Sequence, residues 1–326
     1  MRPDFSVLLL TTLIGAGQGL FLALVTVELY ALFGLLPQQD GHWFYAHGSL
    51  IALVLLVGGL IASFFHLGRP ERAWRTATRW RTSWLSREVI VLPALMGTVF
   101  LYGAAHLMHW HPLLASLPSG TGIGATVVLG IAGTVLAFAL FLCTAMIYAS
   151  LPFLREWASP LTVLNYTLMG GASGFTLAAA FAAQFAPDLP RFYAAWALIL
   201  TLLALLARVA SLIRNRRLRP KSTLQTAICI KHPRIAQKSQ GFMGGSFNTR
   251  EFFHGRPASR LHAIKWLFLG GAFALPAVLL AACLAGASTA WLLPAFLVQY
   301  AGLLAERWFF FAEANHPQNL YYQAVA

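Results

Sequence analysis

Long apolar runs constrain the fold of this sequence more than any other feature does. The chain has 58% hydrophobic and 10% charged residues, and eight of its stretches are long enough to cross a membrane, since a hydrocarbon layer of roughly 30 Å takes about 20 helical residues. We therefore predict an all-α integral membrane protein, a single polytopic domain folded as a bundle of eight transmembrane helices. The predicted spans lie near residues 6–36, 47–67, 89–111, 122–152, 160–187, 190–213, 263–286 and 289–312.

The distribution of basic residues predicts the orientation of this bundle. Of the 23 lysines and arginines, all except Arg191 belong to one side, at the chain ends and around the loops that follow the second, fourth and sixth spans. Because lysine and arginine collect on the cytoplasmic side, we expect both termini in the cytoplasm. An odd number of spans would break this separation.

Composition also excludes some classes of function. The net charge of +13 comes from residues that flank apolar spans, where anionic lipid of the bilayer explains it without nucleic acid. Cys143, Cys229 and Cys283 are too far apart for a disulfide framework or a metal-thiolate cluster. No metal site and no catalytic set are predicted within this chain, so any iron–sulfur chemistry would belong to another subunit.

The segment 66–89, HLGRPERAWRTATRWRTSWLSREV, joins the second and third predicted spans, and we call it the Arg/Trp strip. Between His66 and Glu88 it has six arginines, three tryptophans and no lysine. Arginine forms bidentate hydrogen bonds and stacks on indole rings, which a lysine ammonium does less well. A strip at headgroup level that docks a partner subunit is predicted, although a basic loop with interfacial tryptophans is also ordinary in membrane proteins. The predicted docking residues are Arg72, Arg75, Arg79 and Arg81.

A second candidate for partner docking is the long loop 214–262, expected in the cytoplasm. It begins with the basic run RNRRLRPKS and continues with GFMGGSFNTREFFHGRPASR. Exposed aromatic side chains indicate a surface that packs against protein, so an ordered docking loop is predicted, and a disordered basic tether is the alternative. The predicted docking residues here are Phe247, Arg250, Phe252 and Phe253.

Ionisable side chains within or beside the spans are candidates for function, because burying them in a bilayer costs free energy. Glu28 in the first span and Glu306 at the end of the last are a candidate proton path, although Glu28 could simply reach the interface. His66 and Glu88 could approach each other across a helical hairpin. Such a pair could donate hydrogen bonds and protons to a quinone head group, or it could be a salt bridge that fixes the loop.

Histidines near the outer ends of the second and third spans raise the question of haem. Haem b held between helices needs two axial histidines at the same depth on facing spans, and the nearby histidines are His47, His106, His109 and His111. His109 and His111 flank Trp110 at the membrane exit, which is typical of solvated side chains. We therefore favour a site without haem b, and a bis-histidine site stays the alternative.

Four stretches carry a family resemblance. The residues HLG, Pro and RA within His66–Ala73, and SWLSRE at Ser83–Glu88, resemble the membrane anchor subunits of the dimethyl-sulfoxide-reductase type. GGSFNTREFFHG at Gly244–Gly255 and ERWFFFAEANHPQNLYY at Glu306–Tyr322 are similar to the branch found in cytoplasmic sulfite-oxidising complexes. The resemblance covers both ends and the middle of the chain.

This resemblance implies a three-part assembly. The partners would be a molybdopterin catalytic subunit and a ferredoxin-like subunit with 4Fe–4S clusters, and the anchor would exchange electrons with ubiquinone or menaquinone near the closest cluster. The motifs imply that the quinone site is lined by His66, Gly68, Arg69, Pro70 and Glu88, and we add Trp84 and Arg87, which precede Glu88.

The function predicted on this basis is transfer of electrons from sulfite oxidation, through the ferredoxin-like subunit, to membrane quinone. The chain alone would be catalytically silent. Within the family the alternative is an anchor that oxidises quinol for a reductase. The classical reductase anchors lack the long loop and the HPQNLYY tail that this chain has, so their direction of electron flow is not carried over. Outside it, a secondary transporter would require inverted repeats and polar residues at mid-depth, and a self-sufficient enzyme would require its own catalytic set.

Overall fold

The computed structural model describes residues 4–116, 122–219, 223–235 and 258–314, most of which are helical. A π-helical turn, Gly41–Tyr45, leads into α2, and a second one, Leu269–Ala274, joins α8 to α9. The helices are α1 (Phe5–Leu32), α2 (Ala46–Phe64), α3 (Trp84–Leu107), α4 (Ala125–Ala149), α5 (Pro160–Phe185), α6 (Pro190–Arg216), α7 (Leu224–Ile228), α8 (Ala258–Phe268), α9 (Leu275–Leu284) and α10 (Leu292–Glu313).

The helices account for seven candidate membrane spans in the described part of the chain. By length and apolarity these are Phe5–Leu32, His42–Phe64, Trp84–Leu107, Ala125–Ala149, Pro160–Phe185, Pro190–Arg216 and Ser259–Leu284. The prediction of a helical membrane protein is thereby confirmed. Helix α10 has 22 residues, about 33 Å at 1.5 Å per residue, but it carries Glu306, Arg307 and Glu313. The eighth span therefore stays a prediction.

Helix α3 begins at Trp84, earlier than residue 89 where the apolar run starts. The reason is local, because the Ser83 side chain accepts a hydrogen bond from the backbone N–H of Ser86 and so caps the first turn. As a consequence, the SWLSRE residues belong to a helix rather than to the preceding loop. Glu88 lies in the second turn of α3 and is buried.

Two short elements were not predicted from the sequence. Pro70–Arg79 in the Arg/Trp strip forms a 3-10 helix. Between α3 and α4, strands β1 (Leu113–Ser116) and β2 (Gly122–Gly124) pair antiparallel, where the prediction placed a loop and the start of the next span. Segments of three or four residues are too short to show a periodicity in the sequence.

Helix α1 is central in the bundle, because it packs against α2, α4, α5 and α10. Its closest approach to a neighbour is at Gly19, which meets Gly174 of α5 so closely that a Cβ on either glycine would overlap the backbone of the other. Glycine is required there because the two backbones touch.

The bundle has two chemically different ends. The end that we call the basic end carries the 3-10 helix Pro70–Arg79 and the loop after α4, where the Arg155 carbonyl accepts a hydrogen bond from Arg214 at 3.0 Å. The opposite end, which we call the histidine end, carries His42 stacked on His109 with ring centroids 5.7 Å apart. Successive long helices run between these two ends in alternating directions.

Several predicted residues lie outside the described part of the chain. They are the docking candidates Phe247, Arg250, Phe252 and Phe253, together with the rest of the Gly244–Gly255 signature and the Glu306–Tyr322 signature from residue 315 onward. The predictions for these residues stay predictions.

Candidate functional site

A buried carboxylate at the basic end organises the first polar site. Glu88 of α3 is 7% exposed, and its carboxylate accepts a hydrogen bond from the Thr144 hydroxyl of α4. The surrounding cavity, which we call the Glu88 pocket, has about 20 Å³ of free space, enough for about one water molecule. A quinone ring would enter only if wall side chains moved. The polar side chains that line the pocket are Thr11, Thr12, Gln18, Glu88, Thr144, Tyr166, Ser173 and Arg307.

Arg307 of α10 brings a positive charge to this pocket. Its guanidinium carbon lies 3.9 Å from the centroid of the Tyr166 ring, and its Nη2 lies 3.0 Å from the sulfur of Met169. Arginine stacks on aromatic faces in this way when it is withdrawn from water. The pocket therefore combines an acid, a hydroxyl donor and a fixed cation.

Behind Arg307 lies a set of buried ion pairs, which we call the α6–α10 ion network. Glu306 lies 2.8 Å from Nε of Arg208 through one carboxylate oxygen and 2.9 Å from Nε of Arg307 through the other. Glu313 is 3.8 Å from Nη2 of Arg208. The two cations and two anions balance, as buried charges require.

Glu306, a candidate for a proton path in the sequence analysis, belongs to an ion network whose partner on α6 the sequence did not indicate. Its place on a proton path stays a prediction. In the structure Glu306 is 1% exposed and lies between two arginines. The sequence pattern of Arg208 is that of a basic residue at the cytoplasmic end of a span, yet it is 2% exposed on α6. An arginine within an otherwise apolar helix indicates a buried ion pair. The partner could not be named from the sequence, because Glu306 on α10 is distant along the chain.

The residues carried over from the first family motif lie at the surface of the basic end. The segment that leaves α2 carries four of these residues, and all four are exposed: His66, Gly68, Arg69 and Pro70. Within the described part of the chain, His66 and Glu88 share no hydrogen bond or ion pair. The structure thus separates an exposed rim from the buried Glu88 pocket.

Arg87 and Trp84 fasten the end of the Arg/Trp strip to α3. The Arg87 guanidinium donates hydrogen bonds to the carbonyls of Trp80 and Arg81, each at 2.9 Å, and lies 4.1 Å from the centroid of the Trp84 ring. The side chain of Arg87 is thereby used to hold the strip. These contacts give Arg87 a structural task beside its predicted place at the quinone site.

The Arg/Trp strip itself presents its side chains to solvent. The predicted docking residues Arg72, Arg75, Arg79 and Arg81 are exposed, and Trp74 is 67% exposed. Arg75 lies over Trp74 and Arg81 over Trp80, at 5.5 and 5.3 Å from the ring centroids. A row of cations and indole rings on the surface suits a protein partner.

A second polar site lies at the histidine end, and we call it the Glu28 cluster. The Tyr102 hydroxyl donates to Oε2 of Glu28 at 2.8 Å, and Nε2 of His106 lies 3.5 Å from Oε1. Tyr45 and Thr126 complete the cluster, which borders a cavity of about 340 Å³. Glu28 therefore has bonding partners inside the bundle.

The histidines at this end pack against aromatic rings. The His106 ring lies between Tyr45 and Tyr102, with centroid distances of 4.5 and 4.6 Å, so a haem plane would have to displace them. Partial burial, followed by the charge of His106, lowers the pKa of His111. Within the described ranges, no group of three or more His, Cys, Asp or Glu side chains could hold a metal ion.

An apolar section of the α1–α4 contact separates the two polar sites. Gln18, at the edge of the Glu88 pocket, donates to the carbonyl of Ala137 at 2.8 Å. One turn further along α1, the Phe21 ring packs on Gly133, and Val25 packs on Gly130. Gln18 and Glu28 are ten residues apart on α1, or about 15 Å. Glu28 is therefore not part of the Glu88 pocket.

Two comparisons with known proteins match most or all of the chain. The family model described as DMSO reductase anchor subunit (DmsC) matches residues 1–311. The chain is 56% identical over 326 residues to a protein of Allochromatium vinosum whose name describes it as a subunit of sulfite dehydrogenase, and the match covers 100% of both chains.

Proposed function

Because the chain belongs to the family of DMSO reductase anchor subunits, we propose that it is the membrane anchor and quinone-binding subunit of a sulfite-oxidising molybdenum complex. The family implies catalytic and electron-transfer partner subunits. The choice of sulfite rests on the name of the full-length relative. Neither comparison supports the transporter or the self-sufficient enzyme.

The proposal includes an arrangement in the membrane. Eight spans cross the bacterial inner membrane, with α10 as the eighth and the basic end in the cytoplasm, where the excess of lysine and arginine is expected. The molybdopterin subunit and the ferredoxin-like subunit bind at that end. The exposed arginines and tryptophans of the Arg/Trp strip support docking there, and loop 214–262 is proposed to add a second contact.

The observation that carries the quinone proposal is the Glu88 pocket. It lies at the same end of the bundle as the exposed Arg/Trp strip, so a head group beside Glu88 would be on the side of the proposed electron donor. Its residues also provide the necessary chemistry, since Glu88 can give a proton, and Arg307 can stabilise negative charge.

The residues divide the chemistry as follows. When the ferredoxin-like subunit is bound, its iron–sulfur clusters supply electrons one at a time. Arg307, held by Glu306, would bind a head-group carbonyl oxygen and stabilise the charge that develops on it. Thr144 keeps the Glu88 carboxyl oriented toward the pocket. Glu88 transfers one proton to the reduced oxygen and, once reprotonated, supplies the second proton that the two-electron reduction to quinol requires.

His66 is proposed as part of the exposed rim through which protons reach this site. An imidazole exchanges protons with water near neutral pH, and His66 is exposed where α2 ends. Gly68, Arg69 and Pro70 would shape the same rim. No haem is needed in this scheme, because the head group would receive electrons directly from the partner subunit.

The test of this function is purification of the complex from membranes through a tag on this chain. We expect molybdenum and iron–sulfur subunits to copurify, and we expect sulfite to reduce a quinone analogue at a rate that depends on the anchor. If the chain is isolated alone, or if the complex oxidises sulfite with ferricyanide but with no quinone, the proposed function is wrong. Quinol oxidation coupled to an S-oxide would instead indicate the reductase direction.

A further inference from the structure

An apolar groove runs along the outside of the bundle beside the Glu88 pocket. It lies between α1, α8 and α10, has a volume of about 290 Å³, and includes Leu9, Leu267 and Ala305 among its lining residues. Almost all of its surface is hydrocarbon. Phe5 and Trp308 also line it, which places it at the basic end.

The groove and the Glu88 pocket share one wall. On α1, Leu9 faces the groove, whereas Thr11 and Thr12 line the pocket. On α10, Ala305 lines the groove and Arg307 lines the pocket. The contact between α1 and α10 is therefore all that separates the two spaces.

A hydrogen bond lies in this contact. The hydroxyl groups of Thr12 and Tyr300 are 3.1 Å apart, and they join α1 to α10 about one turn from the level of the groove. Helices α1 and α8 do not pack closely within the described residues, since the groove lies between them. The wall between groove and pocket is thus formed by α1 and α10.

From this arrangement we infer that the groove binds the isoprenoid tail of the quinone and that the head group passes between α1 and α10 into the Glu88 pocket. The inference rests on the proposed function. A quinone is an amphiphile with a polar ring and a long hydrocarbon tail, and the linings of these adjoining spaces match its two parts in polarity. The ring enters the pocket when wall side chains move aside, and the tail remains in the groove at the lipid side.

The physical benefit of the groove is guidance rather than hydrophobic affinity. Lipid tails are as apolar as the groove, so moving a quinone tail from lipid into protein gains little from the hydrophobic effect. A tail held along α1 and α10 instead limits the orientations of the ring. A blocked groove should therefore slow reduction of long-tailed quinones and spare short-tailed analogues, which need no tail site.

The test uses the purified complex with Ala305→Trp, which fills the groove. We expect the quinone that copurifies with the complex to fall severalfold. In liposomes kcat/KM for a polyisoprenoid quinone should fall on the order of tenfold, while the value for a short-tailed analogue with the same ring changes less than about twofold. Leu9→Trp, on the opposite wall, should give the same pattern and covers the case in which the first variant fails to assemble.

Leu297→Trp is the matched control. Leu297 is 57% exposed on the same helix and does not line the groove, so its variant should retain both the bound quinone and the rates. The inference is overturned if Ala305→Trp and Leu9→Trp keep full quinone content and full rates with the long-tailed substrate. It is also overturned if both variants lose short-tailed and long-tailed activity equally, or if they lose a phospholipid and not a quinone.

Failure of the proposed function would look different. If the wild-type complex reduced no quinone with sulfite, the function would be wrong whatever the groove does. The bound quinone content would still decide the inference, because it is measured by extraction and requires no turnover. A fall in content with the groove variants would support the tail site, and an unchanged content would refute it.

Discussion

The Glu88 pocket and the Glu28 cluster are two polar sites at opposite ends of one bundle, and each has a glutamate beside a hydroxyl donor. Their surroundings differ. Glu88 shares a pocket of about 20 Å³ with Arg307, whereas Glu28 borders about 340 Å³ and is bonded by Tyr102 and His106. The guanidinium in the same pocket as Glu88 is permanently charged and suits reduction chemistry, whereas the basic neighbour of Glu28 is a histidine. Neighbours therefore distinguish these carboxylates better than their burial does.

The largest expected effect is on the α6–α10 ion network that supports the Glu88 pocket. Arg208→Ala leaves Glu306 without one partner and should cost roughly 3–5 kcal/mol, as is typical when one half of a buried pair is removed. We expect the complex to lose most of its yield and to unfold at lower temperature in a thermal melt. Glu313→Gln is the matched control, since Glu313 is partly exposed and 3.8 Å from Arg208. A loss of equal size there would contradict the special role of Glu306.

The next effect separates the charge of Arg307 from its shape. Arg307→Lys keeps a positive charge but loses the planar guanidinium that stacks on Tyr166 and lies beside Glu306. Quinone reduction should fall about tenfold, corresponding to about 1.4 kcal/mol in the barrier, while sulfite oxidation with ferricyanide is retained. Lys265→Arg, on the neighbouring α8, is the control. Unchanged quinone kinetics in Arg307→Lys would show that the pocket needs no guanidinium.

A smaller effect is expected at Thr144. Thr144→Val keeps the shape of the side chain and removes the hydroxyl that donates to Glu88, at a cost of about 1 kcal/mol for one hydrogen bond. Quinone turnover should fall about fivefold. Thr134→Val is a matched control on the same helix, because the hydroxyl of Thr134 donates to the carbonyl of Gly130 within α4 and, among the residues that the structure describes, to no other helix. Equal effects at both positions would attribute the loss to α4 itself.

The smallest effect on turnover is expected at the histidine end. Glu28→Gln should change quinone reduction less than twofold, because Phe21 and Val25 pack on glycines of α4 between Glu28 and the Glu88 pocket. The measurement is steady-state quinone reduction in liposomes. A loss of tenfold or more would show that Glu28 lies on the proton path after all, as its position in the sequence first suggested.

The sequence was informative where the signal was local. Apolar runs located the helices to within a few residues, and the family motif drew attention to Glu88, which the structure buries. Arg208 and Arg307 could not be assigned, because an arginine near a span end has the same local pattern whether it is exposed to water or paired inside the bundle. That outcome depends on how α6 and α10 align with each other, over almost 100 residues of sequence separation.

The start of α3 shows the same limit on a smaller scale. Hydropathy places the span at residue 89, but the cap at Ser83 extends the helix by one polar turn and so carries Glu88 into the bundle. The start of the helix depends on this cap, and the pattern of apolar residues does not show where the cap lies. His66 lies beyond the end of α2, where no helix carries it into the bundle, and it is exposed.

The most direct test of the account is Glu88→Gln compared with Glu28→Gln in the purified complex. Both variants exchange an acid for an amide of nearly the same shape, one at each polar site. We expect Glu88→Gln to lower sulfite-dependent quinone reduction on the order of a hundredfold, as for loss of a proton donor, while ferricyanide reduction and assembly stay at wild-type levels. Full quinone reduction in Glu88→Gln, or an equal loss in both variants, would contradict the assignment of the quinone site to the Glu88 pocket.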